Sequence, residues 1–260
     1  MLSLYWNNKR RDISRTLTEY ALSKKIKSEP NNIHLLLACQ PKTGSTFLAK
    51  VLAALPGMNE IPLLSECGRR EQELEPTVMV LNHKVNYVAQ HHVRYSEASR
   101  KLLATFEVKP IVQVRNIFDA VISLRDHFRN ESVDGSMGYA CPYMLEWPDE
   151  KLEEFIVDMF VPWYFNFYMT WQDCENICLV TYEELITDSI GVVARINHHY
   201  SLGFEDVDIE AAVTIAQTKP TRKNSAVSGR GSKLNKTCKE KIKLMASYYD
   251  GIDFTPMGIS

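Results

Sequence analysis

The sequence lacks a membrane-length apolar run, a glycine-rich tract, an internal repeat and any strong imbalance of charge. Its most apolar long stretch, Phe155 to Trp171, is interrupted by Asp158, Pro162 and Asn166. That stretch reads as a pair of buried helices, so no membrane span is expected. Only 11 glycines and 11 prolines occur in 260 residues, which excludes collagen-like and low-complexity chains. The six cysteines are scattered, with neither a disulfide framework nor a second metal-binding pair. The adjacent pairs His91-His92 and His198-His199 point to different faces and are poor metal ligands, so no metal is expected. A net charge of −2 does not suit a nucleic-acid-binding domain. With no leader of basic, apolar and cleavage regions, the expected address is cytoplasmic.

What is present is enough hydrophobic residue, 45% of the chain, to bury one full core. Apolar runs at 33–39, 77–82, 110–114 and 177–182 read as strands, separated by helical or irregular stretches. Such alternation predicts a single α/β domain of three layers with a central parallel sheet. Residues 1–32 read as an N-terminal helical segment, with Ile13, Leu17 and Tyr20 along one side.

The densest chemistry follows the first strand, in Pro41-Lys42-Thr43-Gly44-Ser45-Thr46-Phe47-Leu48. A strand, a short Gly/Ser/Thr loop and a helix N-terminus form an anion cradle, where backbone N–H groups and the helix dipole meet a phosphate. Lys42 adds a full positive charge at the entrance. A nucleoside-triphosphate loop would carry its lysine after the last glycine and a hydroxyl for Mg²⁺. Here Lys42 precedes Gly44.

A second segment runs from the strand Pro110–Val114 into Arg115-Asn116, with Ser123 two helical turns further along. Arginine and hydroxyl so placed can grip one phosphate by charge-assisted hydrogen bonds. No strand-end aspartate is present for Mg²⁺.

These two segments resemble the cofactor motifs of sulfotransferases that use 3′-phosphoadenosine 5′-phosphosulfate (PAPS) and release 3′-phosphoadenosine 5′-phosphate (PAP). The resemblance implies that Lys42, Thr43, Gly44, Ser45, Thr46 and Phe47 hold the 5′-phosphosulfate, and that Arg115 and Ser123 hold the 3′-phosphate. Ile117 stands where the family usually has proline. Thr181-Tyr182-Glu183-Glu184-Leu185 resembles a family strand end whose tyrosine packs near the adenine. Gly229-Arg230-Gly231 resembles the loop that closes over the 3′-phosphate, matched only at Arg230 and Gly231. It lies in a segment, 219–243, with nine Lys/Arg and one acid, which suits a polyanionic cofactor. The implied activity is metal-free sulfuryl transfer from PAPS to a hydroxyl or amine of a small or medium-sized acceptor, such as a sugar, phenol or specialised metabolite.

Sulfuryl transfer needs a cation at the bridging oxygen, a role for Lys42, and a base for the acceptor's proton. Two candidate bases follow from the resemblance. His83 closes the expected strand 77–82, and Glu66 lies shortly after the first helix. The segments 60–77 and 129–150 are expected to line the acceptor pocket. A P-loop nucleotide kinase and a catalytically silent PAPS-binding protein are the alternative functions. No feature of the sequence specifies an oligomeric state.

Overall fold

The computed structural model describes residues 32–64, 73–133, 137–218 and 228–260. The expected N-terminal helix and Glu66 therefore lie outside the described residues, as does the 219–227 part of the basic segment.

The order of elements explains where the site forms. Strand β1 (His34–Cys39) is buried throughout and runs into the loop, then into helix α1 (Ser45–Ala53). A two-residue strand β2 (Asn59–Glu60) and helix α2 (Pro76–Asn82) precede strand β3 (Tyr87–His91). Helix α3 (Glu97–Thr105) leads to β4 (Lys109–Val114), and helix α4 (Ile117–Asn130) follows at once. The helix pair α5 (Asp149–Met159) and α6 (Val161–Trp171) occupies the apolar stretch, with Pro162 in the first turn of α6, where proline is tolerated. Strand β5 (Cys178–Thr181) turns directly into α7 (Tyr182–Thr187), followed by α8 (Ser189–Tyr200) and α9 (Asp206–Thr218). Past the short turn Arg230–Lys233, helix α10 (Lys236–Ala246) completes the basic segment.

The five described strands form one sheet in the order β2-β3-β1-β4-β5, and every pairing is parallel. Alternation along β1 divides the core in two, because successive side chains point to opposite faces. Leu36 and Ala38 join one apolar cluster with residues of α4, α5, α6 and α10. Leu35, Leu37 and Cys39 join the other, with α1, α8 and α9. Helices thus cover both faces of the sheet, giving the expected three layers. Among the described residues, no helix is long and apolar enough to cross a membrane.

One expected strand is a helix. Residues 77–82 belong to α2, which starts with Pro76 in its first turn. Proline there is pre-set for a helix and removes a donor that a central strand would need. Of the apolar run, only Met79 is fully buried, and Leu81 is 76% exposed. The strand that pairs with β1 lies five residues later, at Tyr87–His91.

Candidate functional site

All four long strands run parallel, so their carboxyl ends lie at one edge of the sheet, where open α/β folds bind ligands. The loop after β1, Arg115 after β4, Tyr182 after β5 and His92 after β3 emerge there together.

The loop is held by its carbonyls. Thr43 Oγ1 donates to the Gln40 carbonyl at 2.7 Å, and the Tyr164 hydroxyl donates to that of Pro41 at 3.1 Å. Arg115 Nη1 donates to the Lys42 carbonyl at 2.9 Å, and Gln113 Nε2 to that of Thr43 at 2.7 Å. In a trans peptide the N–H points opposite to the C=O. The amides of Lys42, Thr43 and Gly44 are therefore turned away from these clamps, into the loop. Lys42 and Gly44 both adopt left-handed backbone, with φ of 65° and 73°, the curl that makes an anion nest. The N–H groups of Ser45 and Thr46 at the start of α1 add to it, whereas Phe47 N already donates to the Gly44 carbonyl at 3.0 Å.

Gly44 is confined for a second reason. A Cβ there would meet the Tyr182 ring at 3.0 Å. Tyr182 in turn lies under Arg115, whose guanidinium carbon is 4.0 Å from the ring centroid. Tyr182 thus braces both the loop and the arginine, and burial raises the pKa of its hydroxyl. The side chains of Thr43 and Ser45 face inward rather than toward a ligand. Thr43 clips the loop, and Ser45 Oγ accepts from Gln90 Nε2 at 2.6 Å. Their contribution to an anion is the backbone N–H.

Helix α4 follows β4 directly and places Arg115 and Ser123. Asn116 caps it, its side chain accepting from the amides of Phe118 and Asp119, so Arg115 is fixed at the junction of strand and helix. Ser123 follows two turns along and is buried. Asp119 ties the Gly229–Gly231 loop down: its carboxylate accepts from Gly229 N at 2.7 Å and Gly231 N at 2.6 Å. Arg230 pairs with Asp126 on the same helix. Burial opposes ionisation of Asp126, yet hydrogen bonds from Arg230 and Arg125 outweigh it and lower its pKa.

Gly231 is needed for close approach. A Cβ would come within 2.6 Å of the Phe118 carbonyl carbon and 2.8 Å of Asp119 N. Gly231→Ala should therefore lower stability by about 1–3 kcal/mol and weaken PAP binding, because the loop must lift off α4. An unchanged melting temperature would count against this packing.

The candidate bases fare differently. His83 caps the C-terminus of α2, and its carbonyl accepts from Asn32 Nδ2 and meets His34 Nε2 at 3.0 Å. Its ring packs on His34 and Phe106. His34 opens β1, whereas Lys42 lies beyond its far end, so about 20 Å of strand separates them. His83 is therefore at the wrong edge of the sheet, and its assignment as base is corrected.

The histidine that ends a strand beside the loop is His92. Residue 91 of β3 pairs with Ala38, which sets His92 level with Cys39. His92 Nδ1 lies 2.8 Å from the Cys39 carbonyl, an acceptor only, so Nδ1 carries the proton and Nε2 the lone pair. Burial works against ionisation of Cys39, but His92, with Ser45 and Gln90, lowers its pKa overall. The sequence signal for it is the pair His91-His92 itself, whose adjacency speaks against metal binding but not against a base at a strand end. Gln113 and Tyr164 are marked by nothing in the motif spacing, whereas Asp119 belongs to the Arg115–Ser123 motif itself, though its role there did not follow from the spacing.

A family model described as "Sulfotransferase domain" matches residues 32–245. Among solved structures, the mouse sulfotransferase SULT7A1 complexed with PAP is similar at 13% identity, with 90% of each chain covered and a TM-score of 0.63. The sulfotransferase STF9 from Mycobacterium avium matches at 14% identity over 92% of this chain and 82% of its own, with a TM-score of 0.53. STF1 from Mycobacterium tuberculosis matches at 13% over 85% and 81%, with a TM-score of 0.50. At these identities the likeness shows the fold. No curated protein is matched significantly by sequence.

Proposed function

Because the sulfotransferase-domain model spans residues 32–245, the chain belongs to the sulfotransferase family and is an enzyme of sulfuryl transfer, and we propose that its donor is PAPS and its acceptor a hydroxyl or amine of a small or medium-sized molecule. The observation that carries this reading is the clamp on four successive carbonyls, Gln40 to Thr43, which turns the loop amides inward beside Lys42. That nest fits a phosphosulfate, and the chemistry PAPS supplies is an activated sulfuryl group on an anionic leaving nucleotide.

The chain's own residues divide the work. The amides of Lys42 to Thr46, with Phe47 in the first turn of α1, hold the 5′ end. Arg115 and Ser123 hold the 3′-phosphate, with Arg230 and the Gly231 loop closing over it. Tyr182 keeps Arg115 and Gly44 in place. As the acceptor oxygen bonds to sulfur and the sulfur–oxygen bond to the nucleotide breaks, Lys42 neutralises the charge gathering on the bridging oxygen. His92 Nε2 takes the acceptor's proton. Residues 1–260 act as one domain, with 219–243 as the closing segment, in a cytoplasmic setting.

Thermal stabilisation tests the donor. PAP should raise the melting temperature well above the gain given by ADP, since only PAP engages Arg115, Ser123 and Arg230 through a 3′-phosphate. Arg115→Ala should erase that difference. Equal stabilisation by ATP with Mg²⁺ would point to a nucleotide kinase instead.

A further inference from the structure

Arg230 is anchored to α4 through both its backbone and its side chain. The amides on either side of it, Gly229 N and Gly231 N, donate to the Asp119 carboxylate and pin the main chain. Its Nη2 pairs with Asp126 Oδ2 and pins the guanidinium. Asp119, Ser123 and Asp126 follow one another at helical spacing, which sets them along one face of α4. The second anchor is itself fixed. Arg125 donates to Asp126 Oδ1 through Nε at 3.1 Å and Nη2 at 2.8 Å. Arg125 in turn reaches α5, where its Nη1 lies 2.6 Å from Glu153 Oε1 and 3.1 Å from Asp149 Oδ2. Glu153 is buried, so this line of contacts ends in the packed interior rather than in solvent.

A guanidinium has five donors, and Asp126 engages Nη2 alone. Nε and Nη1 are left for a second anion, and the side chain is 22% exposed. Arg230 also belongs to the cofactor side of the helix. Burial raises the pKa of the Tyr182 hydroxyl, and Arg115 and Arg230 both act against that rise, so both charges lie near it. A bare carboxylate beside a phosphate site would repel the ligand. Asp126 is not bare, because Arg125 and Arg230 both bond to it. What it supplies is order: a loop arginine that is already held loses less side-chain freedom when a phosphate fixes it. We propose that Asp126 is a positioning residue, which aims Arg230 at the 3′-phosphate before the nucleotide arrives and so sharpens the preference for a nucleotide that carries one. This rests on the reading of Arg230 as a ligand of the 3′-phosphate and goes beyond it by naming what aims it.

Calorimetric titrations with PAP and with adenosine 5′-monophosphate, which differ only by the 3′-phosphate, test it without turnover. Asp126→Asn keeps the size of the side chain and removes its charge. It should weaken PAP binding about three- to tenfold, the scale of leaving one long side chain unordered, and leave the monophosphate's affinity unchanged. Asp126→Glu should recover part of the loss. In an Arg230→Ala background, Asp126→Asn should have no further effect on PAP, since the residue it aims is gone. An equal loss for both nucleotides would make Asp126 a structural residue only and overturn the inference. Tighter PAP binding in Asp126→Asn would overturn it too, by showing a carboxylate that competes with the phosphate. So would a loss that persists in the Arg230→Ala background. If wild-type protein does not prefer PAP to the monophosphate, the 3′-phosphate reading fails first and takes this inference with it. A wild-type preference that survives intact in Asp126→Asn sinks the inference alone.

Discussion

Lys42→Ala should lose turnover by a few hundredfold while its affinity for PAPS changes little. The asymmetry follows from where the charge is needed. PAPS is gripped by the loop amides, by Arg115 and by the 3′-phosphate site, and the substitution leaves these in place. The Arg115 bond to residue 42 is to the main-chain carbonyl, which alanine retains. The left-handed φ of 65° is no harder for alanine than for lysine, so the loop keeps its shape. What disappears is the ammonium facing a bridging oxygen that becomes anionic only as the sulfur–oxygen bond breaks. An interaction made in the transition state and not in the ground state appears in kcat rather than in binding. About 3 kcal/mol is the usual scale for one such contact. The check is kcat from the mass shift of the acceptor, set beside the dissociation constant of PAPS measured by calorimetry without acceptor. Near-normal turnover in Lys42→Ala would end the assignment of this loop as catalytic.

The loop was legible because its function depends on local sequence. A buried strand, a glycine able to take φ of 73° and a helix start must follow one another without gaps, and Ile33 to Leu55 displays all three. Arg115 was legible for the same reason, since β4 passes straight into α4. The clamp behind the loop was not. Gln113, Tyr164 and Arg115 reach it from positions 70 or more residues away in the chain, and no spacing rule links them. The sheet's third long strand was misplaced because Val78-Met79-Val80-Leu81 is richer in aliphatic residues than Tyr87-Val88-Ala89-Gln90-His91. Burial decided otherwise: all five residues of β3 are buried, whereas in the apolar run of α2 only Met79 is. Pro76 was the local sign of a helix start that outweighed the aliphatic content.

That displacement of one strand moves the expected base by nine residues, and a paired substitution separates the two positions. His92→Asn should lower kcat on the order of a hundred- to ten-thousandfold, with PAP affinity intact. Asparagine can still donate to the Cys39 carbonyl, the bond that His92 Nδ1 makes at 2.8 Å, so the corner beside the loop should stay folded. It has no basic nitrogen to place where Nε2 stands. His83→Asn should do the reverse. Its ring packs on His34 and Phe106 at the amino edge of the sheet, so the substitution should cost stability and leave turnover near normal. Measuring kcat, PAP affinity and melting temperature on both variants distinguishes chemistry from packing, because each variant should move only the readout that the other spares. Full turnover in His92→Asn would show that the strand-end histidine beside the loop is not the base, whatever His83 does.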